Sequence, residues 1–196
     1  MTDTPPPFAS SEVEKHSAGE RVSTSLDTNG AGMIEAGGRW RTLGLAIALL
    51  IFIADQLSKW IVTYPLGLQN KGVIDLLPFF DLRWVENRGV SGGFLTAQGD
   101  LARWGLVAMT AAIATGVLVW LWREKNKWDA VALSFVLGGA LGNIVDRVRY
   151  GFVVDFADLH IGEFRPFLVF NVADAAITIG VVLLIARAVL VRDKTA

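Results

Sequence analysis

The chain contains no cysteine, which removes disulfides, thiolate metal sites and cysteine nucleophiles while leaving the compartment open. Histidine is almost as scarce, with only His16 and His160. A His-based zinc site needs three or four good N or S ligands, so none is expected, and no metal or organic cofactor is called for. An excess of charge of either sign is also missing: the net charge is −1. Neither a basic surface for nucleic acid nor an acidic tail is indicated, and function has to be sought elsewhere.

What the sequence has in abundance is apolar residues, 53% of 196 with a mean hydropathy of +0.45. They are gathered into blocks close to the length that crosses a bilayer, which favours a small bundle of membrane helices over one soluble domain. Residues 1–38 stand apart, rich in Pro, Ser, Thr, Gly and charge, with PPP at positions 5–7. They read as a disordered cytoplasmic tail ahead of a membrane domain over 39–196. No basic start followed by an apolar core precedes Arg39, so no cleaved signal peptide is expected and the first span should act as an anchor.

Four spans are expected, over about 42–62, 101–122, 128–145 and 172–190. The short connection Arg123–Lys127 holds three basic residues, which places it in the cytoplasm by the positive-inside rule and puts both termini there. Two longer segments, roughly 63–100 and 147–171, then lie outside. Residues 73–85 mix aromatic and β-branched side chains with a Pro ahead of the turn-forming ENRGVSGG. With 152–156 and 167–170 they are candidates for a small extracytoplasmic β-sheet. The fold class is thus an all-α membrane protein, a four-helix bundle with a small β-sheet cradle.

Ionisable residues inside such spans are costly, at least about 2.5 kcal/mol on insertion scales, so they and the polar groups beside them are candidates for function. Asp55 and Lys59 lie one turn apart in the first span. The third closes with GGALGNIVDR, whose glycines allow close helix approach and whose Asn143, Asp146 and Arg147 share one face. The fourth opens with Asn171 and Asp174. Taken singly these have plain readings as an internal ion pair, an interfacial charged end and a helix cap. In the four-span topology, however, all three ends meet at one depth, beside the polar connection 151–171 that carries Asp155.

Carboxylates are therefore the main candidates for chemistry. Two aspartates held close cannot both ionise cheaply and share a proton, so one can activate water while the other protonates a carbonyl oxygen and then a leaving amine. Asp155 and Asp174 are the pair expected to do this. GVSG at 89–92 also matches the G-x-S-G of rhomboid serine proteases, with His160 as an imaginable base, but it falls in a loop of a four-span chain. The G-x-G-D of presenilin-like peptidases is missing. The readings from other classes are a small proton-linked membrane carrier using intramembrane carboxylates and a scaffold whose polar residues only join helices.

Five separated motifs, DQLSK at 55–59, ENRGVSGGF at 86–94, GGALGNIVDR at 138–147, VVDF at 153–156 and FNVAD at 170–174, occur in this order. Together they resemble the lipoprotein signal peptidases (signal peptidase II), over about residues 45–190. The resemblance implies an aspartic endopeptidase of the bacterial cytoplasmic (inner) membrane, with its active site at the outer face. Such an enzyme removes the signal peptide from diacylglyceryl-modified prolipoproteins, cutting just before the lipidated cysteine. It implies Asp155 and Asp174 as the catalytic dyad, with Asp55, Lys59, Asn87, Asn143, Arg147 and Asn171 supporting the site or contacting substrate. Expected partners are lipidated prolipoproteins, membrane lipids and globomycin-type cyclic peptide inhibitors, with no nucleic acid, and the chain is expected to act as a monomer.

Overall fold

A computed structural model describes the backbone over residues 27–89 and 100–192, and the side chains over 39–89 and 100–190. Helix α1 runs Asp27–Thr63, and its apolar part, Arg39–Thr63, is one of four segments among the described residues long and apolar enough to cross a membrane. The others are α3 at Asp100–Arg123, α4 at Lys127–Tyr150 and α5, Val172–Arg192, over its Val172–Leu190 part. At 1.5 Å per residue, 19 to 25 residues cover roughly 28–38 Å, enough for the ~30 Å hydrocarbon core. The expected tail over 1–38 lies outside the described residues as far as 26, and from Asp27 the backbone is already helical. A costly nucleus followed by cheap propagation lets a strong span extend a helix into a weakly helical flank.

Helix α4 is the hub. Half of its apolar window is buried, against about a fifth in each of the other three spans. The cause is its run of small residues. A Cβ at Gly138 would strike the Ala48 carbonyl and Ile51 of α1, and one at Gly139 would strike the Ala173 carbonyl of α5. Gly180 of α5 reciprocates against the Ala132 carbonyl of α4. Backbones thus meet directly, as small-residue interfaces allow in a medium where apolar contact alone gives no driving force between helices. At the far end of this antiparallel pair, Arg187 of α5 pairs with Asp129 at 2.9 Å and reaches Asn126, which caps α4 by accepting the Trp128 N–H.

Helix α4 is longer than the expected 128–145. Polar Arg147, Arg149 and Tyr150 mask its last turn in a hydropathy reading, but the helix continues until Gly151, at φ +82°, where the left-handed conformation suits glycine. Arg103 of α3 donates to the Arg147 carbonyl at 2.8 Å, satisfying one of the exposed end carbonyls. Asn143, Asp146 and Arg147 therefore sit within the helix and not at its cap.

Between α1 and α3 the chain forms the short helix α2, Leu68–Lys71, then strands β1, Val73–Leu77, and β2, Phe80–Asn87, joined by a two-residue turn at Pro78–Phe79. Strand β3, Val153–Leu159, follows α4 and pairs antiparallel with β2, giving the order β1-β2-β3. The expected strand at 167–170 is reduced to one isolated bridge, Ala157 with Phe170, because Pro166 precedes it and the chain then turns into α5. Val62, Leu68, Leu82, Val154 and Phe156 form a cluster that seats this sheet on the end of α1. Its placement brings β3, buried almost throughout, over the polar ends of α1, α4 and α5.

Candidate active site

The site is built around Lys59, whose ammonium is nearly buried. It lies 2.9 Å from Asp55, 2.8 Å from Asp146 and 3.2 Å from the Asn143 side-chain oxygen, joining two turns of α1 to α4. Buried charges are tolerated only when paired and fully hydrogen-bonded, and the remaining carboxylate oxygens are indeed used. Asp55 Oδ1 accepts the Ala173 N–H at 3.0 Å, and so satisfies one of the free donors in the first turn of α5 from a different helix. Asp146 Oδ2 accepts the Val154 N–H at 3.1 Å and ties β3 to α4. Gln56 donates to Asp55, to the Gly142 carbonyl and to Asp146. Gly142 is required here, since a Cβ would collide with Asp55 Oδ2.

Upon this base sit Asp155 and Asp174. Asp155, on β3, is 1% exposed. Its Oδ1 accepts from the Asn171 amide at 2.6 Å and its Oδ2 from the Asn87 amide at 3.0 Å. Asn87 reaches it because β2 and β3 pair Asn87 with Val153 and Val85 with Asp155, while the Asn87 oxygen accepts the Gly89 N–H at 3.0 Å and fixes the amide. Asp174 Oδ1 accepts from Asn143 at 2.8 Å and its Oδ2 from the Asn171 N–H at 3.3 Å. Asn171 Oδ1 in turn accepts the Asp174 N–H at 2.9 Å, a reciprocal capping box at the start of α5. Asn171 thus holds one carboxylate through its side chain and the other through its backbone.

These donors are neutral amides. They orient four carboxylate oxygens without cancelling the charge of either acid, so the two acids stay coupled. Burial first and the Asp174 charge second push the Asp155 carboxyl up to about 6, against the opposing hydrogen bonds from Asn87 and Asn171. Arg147 lies within electrostatic range of Asp174, Asp155 and Asp146, and its buried Nε has no hydrogen-bond partner among the described residues. A cleft of about 410 Å³ opens beside Asp155, lined by Asn87, Arg88, Leu168 and Val169. A second, more apolar groove of about 570 Å³ opens beside Asp174, lined by Phe167, Phe170, Thr178 and Ile179. Among the described residues no group of acids and imidazoles is arranged to hold a metal ion.

A model of the signal peptidase (SPase) II family matches residues 47–190. The chain belongs to the signal peptidase II family. The lipoprotein signal peptidase of Rhizorhabdus wittichii is 58% identical over 161 residues, covering 82% of this chain and 94% of that protein. That of Sphingopyxis alaskensis is 58% identical over 151 residues, covering 77% and 87%. A bacterial membrane enzyme solved at 1.9 Å by the in meso method superposes with a TM-score of 0.64 at 31% identity, covering 75% of this chain and 92% of that one. The family makes the chain a peptidase and, with its four apolar helices, a multi-pass bacterial membrane protein.

All eight candidate residues from the sequence converge: Asp55, Lys59, Asn143 and Asn171 are linked by direct bonds, Asn87 joins through Asp155, and Arg147 lies within electrostatic range of both acids. Two participants fall outside those eight, Gln56 and Asp146. Both lie inside the quoted motifs, and Asp146 shares the face of Asn143 and Arg147, which was its available signal. The serine-protease alternative is not supported by the family match. Its Val90–Gly92 lie outside the described residues, and His160 is engaged at the sheet edge, with Nδ1 3.2 Å from the Gly162 carbonyl and Nε2 3.0 Å from Asp81 without hydrogen-bond geometry.

Proposed function

We propose that the chain is an aspartic endopeptidase that cleaves the signal peptide from diacylglyceryl-modified prolipoproteins, just before the lipidated cysteine, with Asp155 and Asp174 as the dyad. The observation that carries this reading is the bridging of the two acids by Asn171, which presents two coupled carboxylates beside open clefts. The family match and the lipoprotein signal peptidases among its relatives support the substrate class.

One proton is shared by the pair. The ionised carboxylate takes a proton from a water whose oxygen attacks the scissile carbonyl carbon, while the protonated partner donates to the carbonyl oxygen. Collapse of the tetrahedral intermediate breaks the C–N bond, and the amine leaves with a proton from the dyad. Arg147, within electrostatic range of both acids, is a supporting residue that builds the site or contacts substrate. Asp55, Lys59, Asn87, Asn143 and Asn171 are positioning residues. The dyad lies at the outer face of the inner membrane with both termini cytoplasmic, and the substrate's lipid anchor delivers the scissile bond to that depth. Cyclic peptides of the globomycin type would inhibit by occupying the space between the acids.

The test is cleavage of a lipidated prolipoprotein by purified enzyme. Asp155→Asn and Asp174→Asn should each cut kcat by about 10²–10⁴-fold or more while the protein stays folded and inserted. Normal turnover by either variant removes that residue from the dyad.

A further inference from the structure

The sheet has two unlike ends. One carries Asn87 and Val153 and faces the site. At the other, where Leu77 pairs with Phe80 and Phe80 with Leu159, the β1–β2 turn exposes Phe79 (54%) and the adjoining Leu76 and Leu77. The two tips at this end are contiguous, because the Phe79 carbonyl accepts the His160 N–H at 3.0 Å. The second tip, residues 161–168, exposes Ile161 (73%), Phe164 (65%), Phe167 and Leu168 (90%). Its shape is held by its own bonds. Ile161 and Phe164 exchange backbone hydrogen bonds at 2.8 and 3.1 Å around Gly162, and Arg165 pairs with buried Asp158 at 3.1 Å.

A cluster of exposed apolar side chains bordered by the Asp158–Arg83–Arg165 charges is the kind of surface that marks an interaction site. Its neighbour on the chain names the occupant. Leu168 is four residues before Val172, where the α5 span begins, and four residues reach at most about 14 Å. Phe167 and Leu168 also line one groove with Asp174 and with Thr178 and Ile179, which lie about two turns into α5. The exposed apolar tip is thereby continuous with the lipid-facing side of a membrane helix.

We propose that this end of the sheet, through Phe79, Ile161 and Phe164, is a foot that embeds in the hydrocarbon edge of the leaflet where α5 begins. Resting on the peptidase reading above, its effect is to hold Asp155 and Asn87, at the opposite end of the same strands, at a set height over the bilayer, where a lipid-anchored peptide bond arrives. Arg83 and Arg165, both paired with Asp158, then lie at headgroup level, where long basic side chains keep their charged ends in water while their stems cover apolar surface.

The absence of cysteine makes the test direct. Single variants Phe79→Cys, Ile161→Cys and Phe164→Cys of the full chain would carry a nitroxide in phospholipid nanodiscs. Ile185→Cys on exposed α5 serves as the lipid reference and Lys71→Cys on exposed α2 as the aqueous one. The foot requires collision rates with oxygen above those at Lys71 and below those at Ile185, which lies deep in the span, and collision with a water-soluble nickel complex at least fivefold below that at Lys71. Values like those at Lys71 overturn the proposal, as does shielding from both agents, which would mean a protein-covered surface. In a second arm, Ile161→Glu with Phe164→Glu should lower kcat/KM on a lipidated substrate at least tenfold in bilayers and less than twofold in detergent micelles. Equal effects in both media overturn the positioning role. The probe depths do not depend on the dyad, so a failed foot and a failed dyad are told apart.

Discussion

Helices α3 and α4 are consecutive, equally long at 24 residues and both apolar enough to span a membrane, yet half of the α4 window is buried and only 17% of that of α3. Hydropathy does not separate them usefully, at 1.9 and 1.5. The difference lies in side-chain size and in where polar groups sit. In α4, glycines admit the backbones of α1 and α5, and its Asn143 and Asp146 then bond to partners across those contacts. In α3, Gly105 and Gly116 have open space where a Cβ would be, and Met109 and Ile113 are exposed. Apolarity sends a helix into the membrane, and small residues decide whether it becomes a lipid-facing wall or the centre of a site.

The largest test of that contrast is to break the ion triad that joins α4 to α1. Lys59→Met leaves Asp55 and Asp146 buried together without their cation, and should cost about 3–5 kcal/mol in chemical denaturation from mixed micelles. A loss below about 1 kcal/mol would show that the triad is not structural. Next in size is a matched pair of glycines. Gly139→Ala forces a methyl onto the Ala173 carbonyl and should cost about 1–3 kcal/mol, lowering kcat through displacement of the first turn of α5. Gly116→Ala on α3 should stay within about 0.5 kcal/mol or be slightly stabilising, because nothing lies in the way and alanine is the better helix former. Similar melting shifts for both would erase the distinction drawn between the helices.

The smallest expected effect concerns what the sheet adds to the α4 end. Asn87→Ala removes a donor that favours the charged form of Asp155, so the carboxyl should titrate above its present value of about 6. The limb of the pH–kcat/KM profile that reports it should move to higher pH, and an unmoved limb would show that Asn87 does not act through Asp155. The same group affects stability with a defined sign. Folded Asp155 holds its proton to about 6, while an unfolded Asp releases it near 3.9. Its contribution is therefore greatest below that lower value and is lost as pH rises through about 6.

Much of this was legible in the sequence because the signals are local. The four spans appear as apolar blocks, and Asp55, Lys59, Asn143, Arg147, Asn171 and Asp174 stand out against them because charge inside a span is costly. The last turn of α4 was hidden by its own polar residues, and its length depends on Arg103 from another helix. Asn87 carries no such contrast with its surroundings and matters through strand register, while Gln56 does stand in a span but shows its role only through its reach from α1 to Asp146.

By itself, then, the sequence determined which residues enter the membrane, which polar groups must find partners there, and that carboxylates are the available chemistry, since each follows from composition and spacing along one chain. Tertiary structure decided which partners they find. That Asn171 bridges Asp155 to Asp174, and that Asp55 caps α5 from α1, depends on glycine-to-backbone contacts between helices and on β3 lying over their ends. Those contacts join residues far apart in sequence, and only close packing brings the two acids near enough for the charge of one to hold the other's proton.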